Sequence, residues 1–398
     1  MTNVVYAIAT MDSKGAELAF VADCLKATGL EVRTVDVGTL APPTVSPDIS
    51  REKVLNDCLL PSDNDRAAAI SAMAQALATW LRKECESGRV AGVIGLGGSG
   101  GTALISPALR ALPIGLPKVM VSTVASGNTA PYVDCSDITM VSSVVDVAGL
   151  NVVSRTVLAN AAHALAGMVK QFRQIESNRP ALGMTMFGVT TACVTRVREA
   201  LECEGYDCLV FHATGTGGRA MEKLVDSGMI RGVLDITTTE VADEIAGGIF
   251  PAGSKRFETL LKHRIPLVLS VGAVDMVNFG AQETVPEKYQ NRLLHVHNSQ
   301  ITLMRTTTEE NRRVARWMAE KLNTATASFT ILLPTGGVSA LDAPGQPFYD
   351  PEADEALFTE LEAAIEPQEN RRIVRLPYHI NAPEFADAIV FAYQEQVT

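Results

Sequence analysis

At 398 residues the chain is too long for one typical hydrophobic core and suits two domains. A hydrophobic content of 47% excludes a disordered chain, and a formal charge of −11 with no run of Lys or Arg excludes nucleic acid as a natural partner. The charge is uneven, near −2 over residues 1–178 and near −9 over residues 179–398. Such a protein still binds a small polyanion where backbone N–H groups form a local nest, often with Mg²⁺.

In chain order, short runs rich in Val and Ile alternate with helical patterns. The first half predicts strands at Val4–Ala9, Val32–Val37, Val90–Leu96, Lys118–Val121 and Ile138–Val141, with helices at Ala16–Thr28, Arg66–Glu86, Ala103–Leu112 and Ser154–Gln174. The Pro-rich piece "TLAPPTVSPDIS" and the turn "LPSDND" form an insertion before the third strand. Polar "KQFRQIESNRP" then marks a boundary, giving domains 1–176 and 177–398. Beyond it, strands are expected at Ala181–Phe187, Cys208–His212, Gly232–Thr237, Pro266–Val271, Ile301–Met304, Thr330–Leu333 and Ile373–Leu376. The helices between and after them are expected at Ala192–Glu204, Glu240–Ala246, Glu309–Leu322, Glu352–Ile365 and Pro383–Tyr393. This alternation predicts an α/β chain of two Rossmann-like three-layer domains with mainly parallel sheets.

Two glycine clusters stand out. "GVIGLGGSGGTAL" and "CLVFHATGTGGRAM" each run from an apolar strand through glycines into a helix. A strand-to-helix loop of this kind presents free amides and a helix dipole to an anion, and glycine removes the Cβ that blocks its approach. The candidate ligand-binding residues are therefore Gly97, Gly98, Ser99, Gly100, Gly101 and Thr102, then Thr214, Gly215, Thr216, Gly217, Gly218 and Arg219. Thr102 is also the expected cap of the helix that follows. Ser126 and Gly127 in "VSTVASGNTAP", and Thr10, Asp12 and Lys14 in "TMDSKGAE", extend the set. Lys14 is the candidate cation, and Asp12 and Glu222 are the candidate Mg²⁺ ligands.

Gly95-x-Gly97-x-x-Gly100 also matches the dinucleotide fingerprint, which requires an acid some twenty residues on. "VMVST" supplies none there, and Asp235, at the matching distance from the second cluster, falls inside a strand. Gly101 stands where a P-loop carries lysine. The competing explanation for either cluster is a tight turn or close packing.

Seven scattered cysteines without a Cys-x-x-Cys spacing fit free thiols in a reducing, cytoplasmic setting, and no leader or membrane-spanning run is evident. Cys193 lies near a helix start, where a thiol is either activated or simply buried. "HVH" at 295–297, with His379, has metal-like spacing, but the sequence fixes no third ligand.

The strings "GLGGSGGTALISPAL", "STVASGNT", "SSVVDVAGLN", "FGVTT", "FHATGTGGRAMEKL", "VGAVDMVNFG", "LMRTTTEEN", "GVSALDAPGQPFYDPEAD" and "HINAPEFADA" carry a resemblance. From about residue 4 to residue 393 the chain resembles an uncharacterised bacterial and fungal family related to the N-terminal ATP-binding domain of a plant tobamovirus-resistance protein. That resemblance implies two Rossmann-like domains, a homodimer, and ATP with Mg²⁺, but no known reaction. The expectation is a cytoplasmic ATP-binding protein whose triphosphate rests on Gly97–Gly101, with a second ligand near Thr214–Arg219. As an enzyme it would transfer phosphoryl groups or activate a small acid. The alternatives are an NAD(P)-dependent oxidoreductase and a non-catalytic nucleotide sensor or partner-binding module.

Overall fold

The computed structural model describes residues 4–56, 58, 60, 61, 65–173 and 178–397, which form two compact units, 1–175 and 176–398. The turn expected around 62–64 and the boundary at 176/177 lie outside the described residues, and the helix expected to run to Gln174 ends at Lys170.

The first unit runs β1 (Val4–Ala9), α1 (Met11–Ala27), β2 (Val32–Asp36), α2 (Arg51–Leu55), α3 (Arg66–Glu86), β3 (Val90–Gly97), α4 (Ser99–Arg110), β4 (Lys118–Ser122), α5 (Ala130–Val133), β5 (Thr139–Ser142) and α6 (Val152–Lys170). Its five strands are all parallel, in the order β2-β1-β3-β4-β5. A central parallel strand is covered on both faces, which is why β1 and β3 read as nearly unbroken apolar runs. One face packs on α1 and α6 through Leu18, Val21, Leu158 and Leu165; the other packs on α3 and α4 through Met73, Leu77, Leu104 and Ile105. Among the described helices only α6 has the length and apolarity to cross a membrane, and its Leu158, Ala161, Ala162 and Leu165 are spent on this core.

The second unit runs β6 (Ala181–Met186), α7 (Thr191–Cys203), β7 (Asp207–His212), α8 (Thr216–Asp226), β8 (Gly232–Thr237), α9 (Thr239–Ala246), α10 (Glu258–Lys262) and β9 (Leu267–Gly272). It continues with β10 (Met276–Phe279), β11 (Leu294–Asn298), β12 (Ile301–Arg305), α11 (Thr308–Leu322), β13 (Phe329–Pro334), α12 (Pro351–Ala364), β14 (Arg371–Leu376) and α13 (Pro383–Val397). Six parallel strands are ordered β14-β13-β9-β8-β6-β7. The segment expected as a strand at Ile301–Met304 belongs elsewhere: β12 is the middle of a separate antiparallel sheet, β10-β12-β11, inserted between β9 and β13.

Two helix starts differ from the sequence reading by about a turn. α1 opens with a turn from Met11 that breaks at the non-helical Lys14, so its unbroken run begins close to the expected Ala16, and α4 begins at Ser99 rather than Ala103. Thr10 and Gly98 are thus the N-caps, and Asp12, Lys14, Gly100 and Gly101 lie inside the first turns. Glycine's poor helix propensity hides such a turn.

Asp243 of α9 shows how fully the second unit encloses charge. Fully buried, it accepts from Phe250 N (2.8 Å) and Asn278 N (2.7 Å), and burial pushes its carboxyl up to about 7. A carboxyl pKa raised by folding stabilises the protein below the unfolded value of about 4 and loses that contribution as pH climbs. We expect the Asp243 carboxyl carbon to titrate by NMR with a midpoint near about 7, and its contribution to stability to fall between about pH 4 and that midpoint.

Candidate functional site

In the order β2-β1-β3-β4-β5 the chain leaves β1 toward one edge and β3 toward the other, so their following helices diverge onto opposite faces. This topological switch point is where open α/β sheets leave a crevice at the carboxyl ends of the strands. The β1–α1 and β3–α4 junctions there carry Thr10–Lys14 and Gly97–Thr102.

The two helix starts at this crevice differ. At α1, Met11 N donates to Asp36 Oδ1 (3.0 Å), and Ser13 N and Lys14 N donate to the Thr10 carbonyl. At α4 no side chain caps the first turn among the described residues. Its Ser99, Gly100 and Gly101 amides are those a helix leaves without an internal acceptor, with the positive end of the dipole behind them.

The glycines separate by what each one's missing Cβ would meet. At Gly95 it would lie 2.6 Å from Met120 Sδ, and at Gly97 2.8 Å from Gly101 Cα, so packing requires both. At Gly98 the nearest neighbour is Thr123 Oγ1 at 3.8 Å, at Gly100 Arg66 Nη2 at 3.8 Å, and at Gly101 the Leu96 carbonyl at 3.5 Å. None of these three has a positive φ. The fold therefore has room for a side chain at 98, 100 and 101; a close-approaching ligand would not.

Arg66, which the sequence did not single out, supplies the nearby cation. It is exposed on the first turn of α3 beside Gly100, with no ion pair among the described residues. Lys14 is engaged elsewhere, its ammonium donating to the Val147 carbonyl while Glu17 accepts from Gly149 N (2.6 Å). Asp12 is half-buried and accepts from Leu40 N (3.2 Å) and Ser13 Oγ (3.1 Å). Thr102 is neither cap nor open donor: fully buried, its hydroxyl bonds Gly98 O (2.8 Å) and Ser122 Oγ (2.6 Å), pinning the β3 and β4 ends together. Ser126 and Gly127 are exposed on the loop after β4.

The second glycine cluster is a different object. It follows β7, the edge strand, so it does not occupy the position equivalent to the first. Its amides already have an anion: Glu240 Oε1 accepts from Gly215 N (2.8 Å) and Gly218 N (3.1 Å). Each glycine is needed for packing. A Cβ would lie 2.7 Å from Pro251 O at Gly215, 1.9 Å from His212 O at Gly217 and 2.3 Å from Glu240 Oε2 at Gly218.

Glu240 in turn meets Arg256 Nε (3.1 Å), whose guanidinium also holds Glu222 (2.7 Å) and Asp235 (2.7 Å). Glu222 is therefore not an open Mg²⁺ ligand: it is buried, burial pushes its carboxyl up, and Phe257 N donates to it as well. Asp235 is likewise committed, to Arg256 and Thr185 Oγ1, leaving the dinucleotide fingerprint without its acid. Thr214 and Arg219 are half-buried and Thr216 is exposed. Cys193 is buried and its thiol is pushed up to about 12, the opposite of activation. His379 bonds Ser339 O (2.8 Å) and Asn381 N (3.0 Å), and no His, Cys, Asp and Glu group suited to a metal ion occurs among the described residues.

Comparison with known proteins matches residues 3–174 to the N-terminal domain and 179–397 to the C-terminal domain of the Uncharacterised protein family (UPF0261). The chain belongs to the UPF0261 family. A UPF0261 protein of Rhizobium meliloti is 53% identical over 396 residues, covering 98% of both chains. The tomato (Solanum lycopersicum) ToMV resistance protein Tm-1(GCR237) is 48% identical over 417 residues, covering 98% of this chain and 55% of that protein. Among solved structures, Acinetobacter baumannii MurG aligns over 99% of this chain and all of its own at 12% identity. Its TM-score of 0.22 is too low to carry an argument.

The glycine contrast has a stability signature. Gly97→Ala should cost about 1–3 kcal/mol by overpacking, whereas Gly100→Ala should gain about 0.5–1 kcal/mol as a helical residue. Glu240→Ala, which leaves Arg256 paired with Glu222 and Asp235 but takes the acceptor from its Nε and from the Gly215 and Gly218 amides, should cost about 1–3 kcal/mol. Urea unfolding of the three variants checks all three signs.

Proposed function

We propose that this UPF0261 protein binds a nucleotide through its phosphates at the α4 N-terminus, with ATP as the nucleotide that the family resemblance favours. The observation that supports this most is the set of uncapped Ser99–Gly101 amides at the switch point, beside glycines that the fold itself does not require. Arg66 would neutralise phosphate charge in place of the absent P-loop lysine. Asp12, with Mg²⁺, would serve the same end from the neighbouring loop. A second ligand at Thr214–Arg219 has no comparable support, because Glu240 already fills that nest.

Whether bound ATP is turned over depends on a second substrate, and phosphoryl transfer or activation of a small acid is the enzymatic form of the proposal. The sensor reading predicts binding without phosphate release. An NAD(P) site is disfavoured by the commitment of Asp235 to Arg256 and by Ser122, not an acid, at the end of β4.

Calorimetry with ATP and Mg²⁺, against NAD and against EDTA controls, tests the reading. ATP should bind and NAD should not. Gly98→Asp should abolish binding while the protein stays folded, and Arg66→Ala should weaken it about tenfold, the loss of one charge-assisted contact. Absence of heat with ATP at millimolar concentration would overturn the proposal.

A further inference from the structure

A nucleotide anchored by its phosphates at α4 can lay its nucleoside in two directions along the carboxyl edge of the first sheet. Toward β2 it would cross the β1–α1 junction, where the Asp12 carboxylate accepts from Leu40 N (3.2 Å) and adds negative charge to the path. Toward β5 it would cross the loop after β4, where residues 123–129 carry no charged side chain and Ser126 and Gly127 are exposed. The second path ends at a residue held in an unusual backbone conformation.

Val144, in the loop after β5, has a φ of 64°. In this left-handed region a β-branched side chain crowds its own backbone, and valine rarely enters it. Val145 N donates to the Ser143 carbonyl (2.7 Å), which makes Val144 the centre of a γ-turn of the rarer, strained form. Ser143 fixes the turn in place. Its N donates to the Ser122 carbonyl of β4 (3.1 Å), and its Oγ donates to the Val145 carbonyl (2.6 Å). Farther along, the Lys14 ammonium donates to the Val147 carbonyl and Gly149 N donates to Glu17, so the loop is tied to α1 as well.

Packing does not explain the valine. Its side chain is 74% exposed, whereas Val145 is half-buried and Val147 is buried. A glycine would take this turn without strain, as Gly149 takes a φ of 87° in the same loop. The chain thus holds an apolar side chain out in solvent at the cost of backbone strain, a combination that belongs to ligand contacts rather than to cores. Leu40 is comparably exposed at the β2 end, but its backbone has no positive φ.

Strand register gives the separation. Gly97 of β3 pairs with Ser122 of β4, and Ser122 pairs with Ser142 of β5. Ser142 therefore lies two strand spacings, roughly 10 Å, from Gly97. Val144 follows two residues later, on the same edge as the Ser99–Gly101 amides. This matches the reach of a nucleotide from its phosphates to its base.

We propose that Val144 is the apolar contact for the base of the nucleotide whose phosphates rest on α4, and so a specificity-determining residue. The inference rests on the nucleotide reading given above. With the phosphates at α4 and the sugar over the β4 loop, the strained turn presents the valine methyls to the base, and removal of both apolar surfaces from water drives the contact. The contact does not involve the phosphates, so it strengthens binding of a nucleotide and not of inorganic polyphosphate.

Calorimetry on the full-length protein with Mg²⁺, using ATP and inorganic tripolyphosphate as probes, separates the two parts of the site. Val144→Ala should bind ATP at least about fivefold more weakly, from the apolar area removed, and tripolyphosphate within about twofold of the wild type. Val144→Gly, which relieves the turn, should lose as much ATP affinity while unfolding at the same temperature or higher. Unchanged ATP affinity in Val144→Ala, or an equal loss of tripolyphosphate affinity, would overturn the inference and leave the phosphate site standing. A smaller oligomer with ATP affinity intact would assign the valine to a subunit contact and overturn it likewise. A wild-type protein that binds neither probe would overturn the phosphate site and this inference with it.

Discussion

A helix that starts at the carboxyl edge of a parallel sheet leaves backbone N–H groups in need of an acceptor, and the source of that acceptor governs what each unit can do. In the second unit the acceptor is internal: Glu240 occupies the nest at α8 and is held there by Arg256. In the first unit the nest at α4 has no internal anion among the described residues. Two glycine clusters that look alike as strings are thus opposite in physics, one filled by the protein and one open to a ligand.

The remaining features follow from this division. The first unit places its open nest at the switch point, with Arg66 on one side and the Lys14–Val147 contact tying the β5–α6 loop to α1. The second unit turns inward. Thr190 and Thr237 bond hydroxyl to hydroxyl (2.7 Å) at the ends of its central strands, and Gly272 packs so closely that a Cβ would lie 2.8 Å from Ile380 Cδ1. Its own switch point is filled with side chains, and three of its buried carboxylates gather around Arg256.

Much of the layered architecture was legible in the sequence, because strands covered on both faces must be apolar and the helices between them must carry one apolar stripe. The first glycine cluster was legible as well, since strand, glycines and helix are contiguous. What was not legible depended on distant partners. Glu240 lies 25 residues beyond Gly215, and nothing in "GTGGR" shows that its amides are taken. Arg66 reaches Gly100 only through the packing of α3 on α4. Glu222 resembled a free carboxylate on a helix until Arg256, itself unremarked in the sequence, was seen to bind it. The antiparallel β10-β12-β11 sheet escaped notice because a lone apolar run does not reveal the direction in which it pairs.

The account is tested most directly by following backbone amide resonances while inorganic tripolyphosphate and then ATP are added to the full-length protein. It predicts that Ser99, Gly100 and Gly101 shift in both titrations while Gly215 and Gly218 stay fixed. Movement of Gly215 and Gly218 with Ser99–Gly101 unmoved would contradict it.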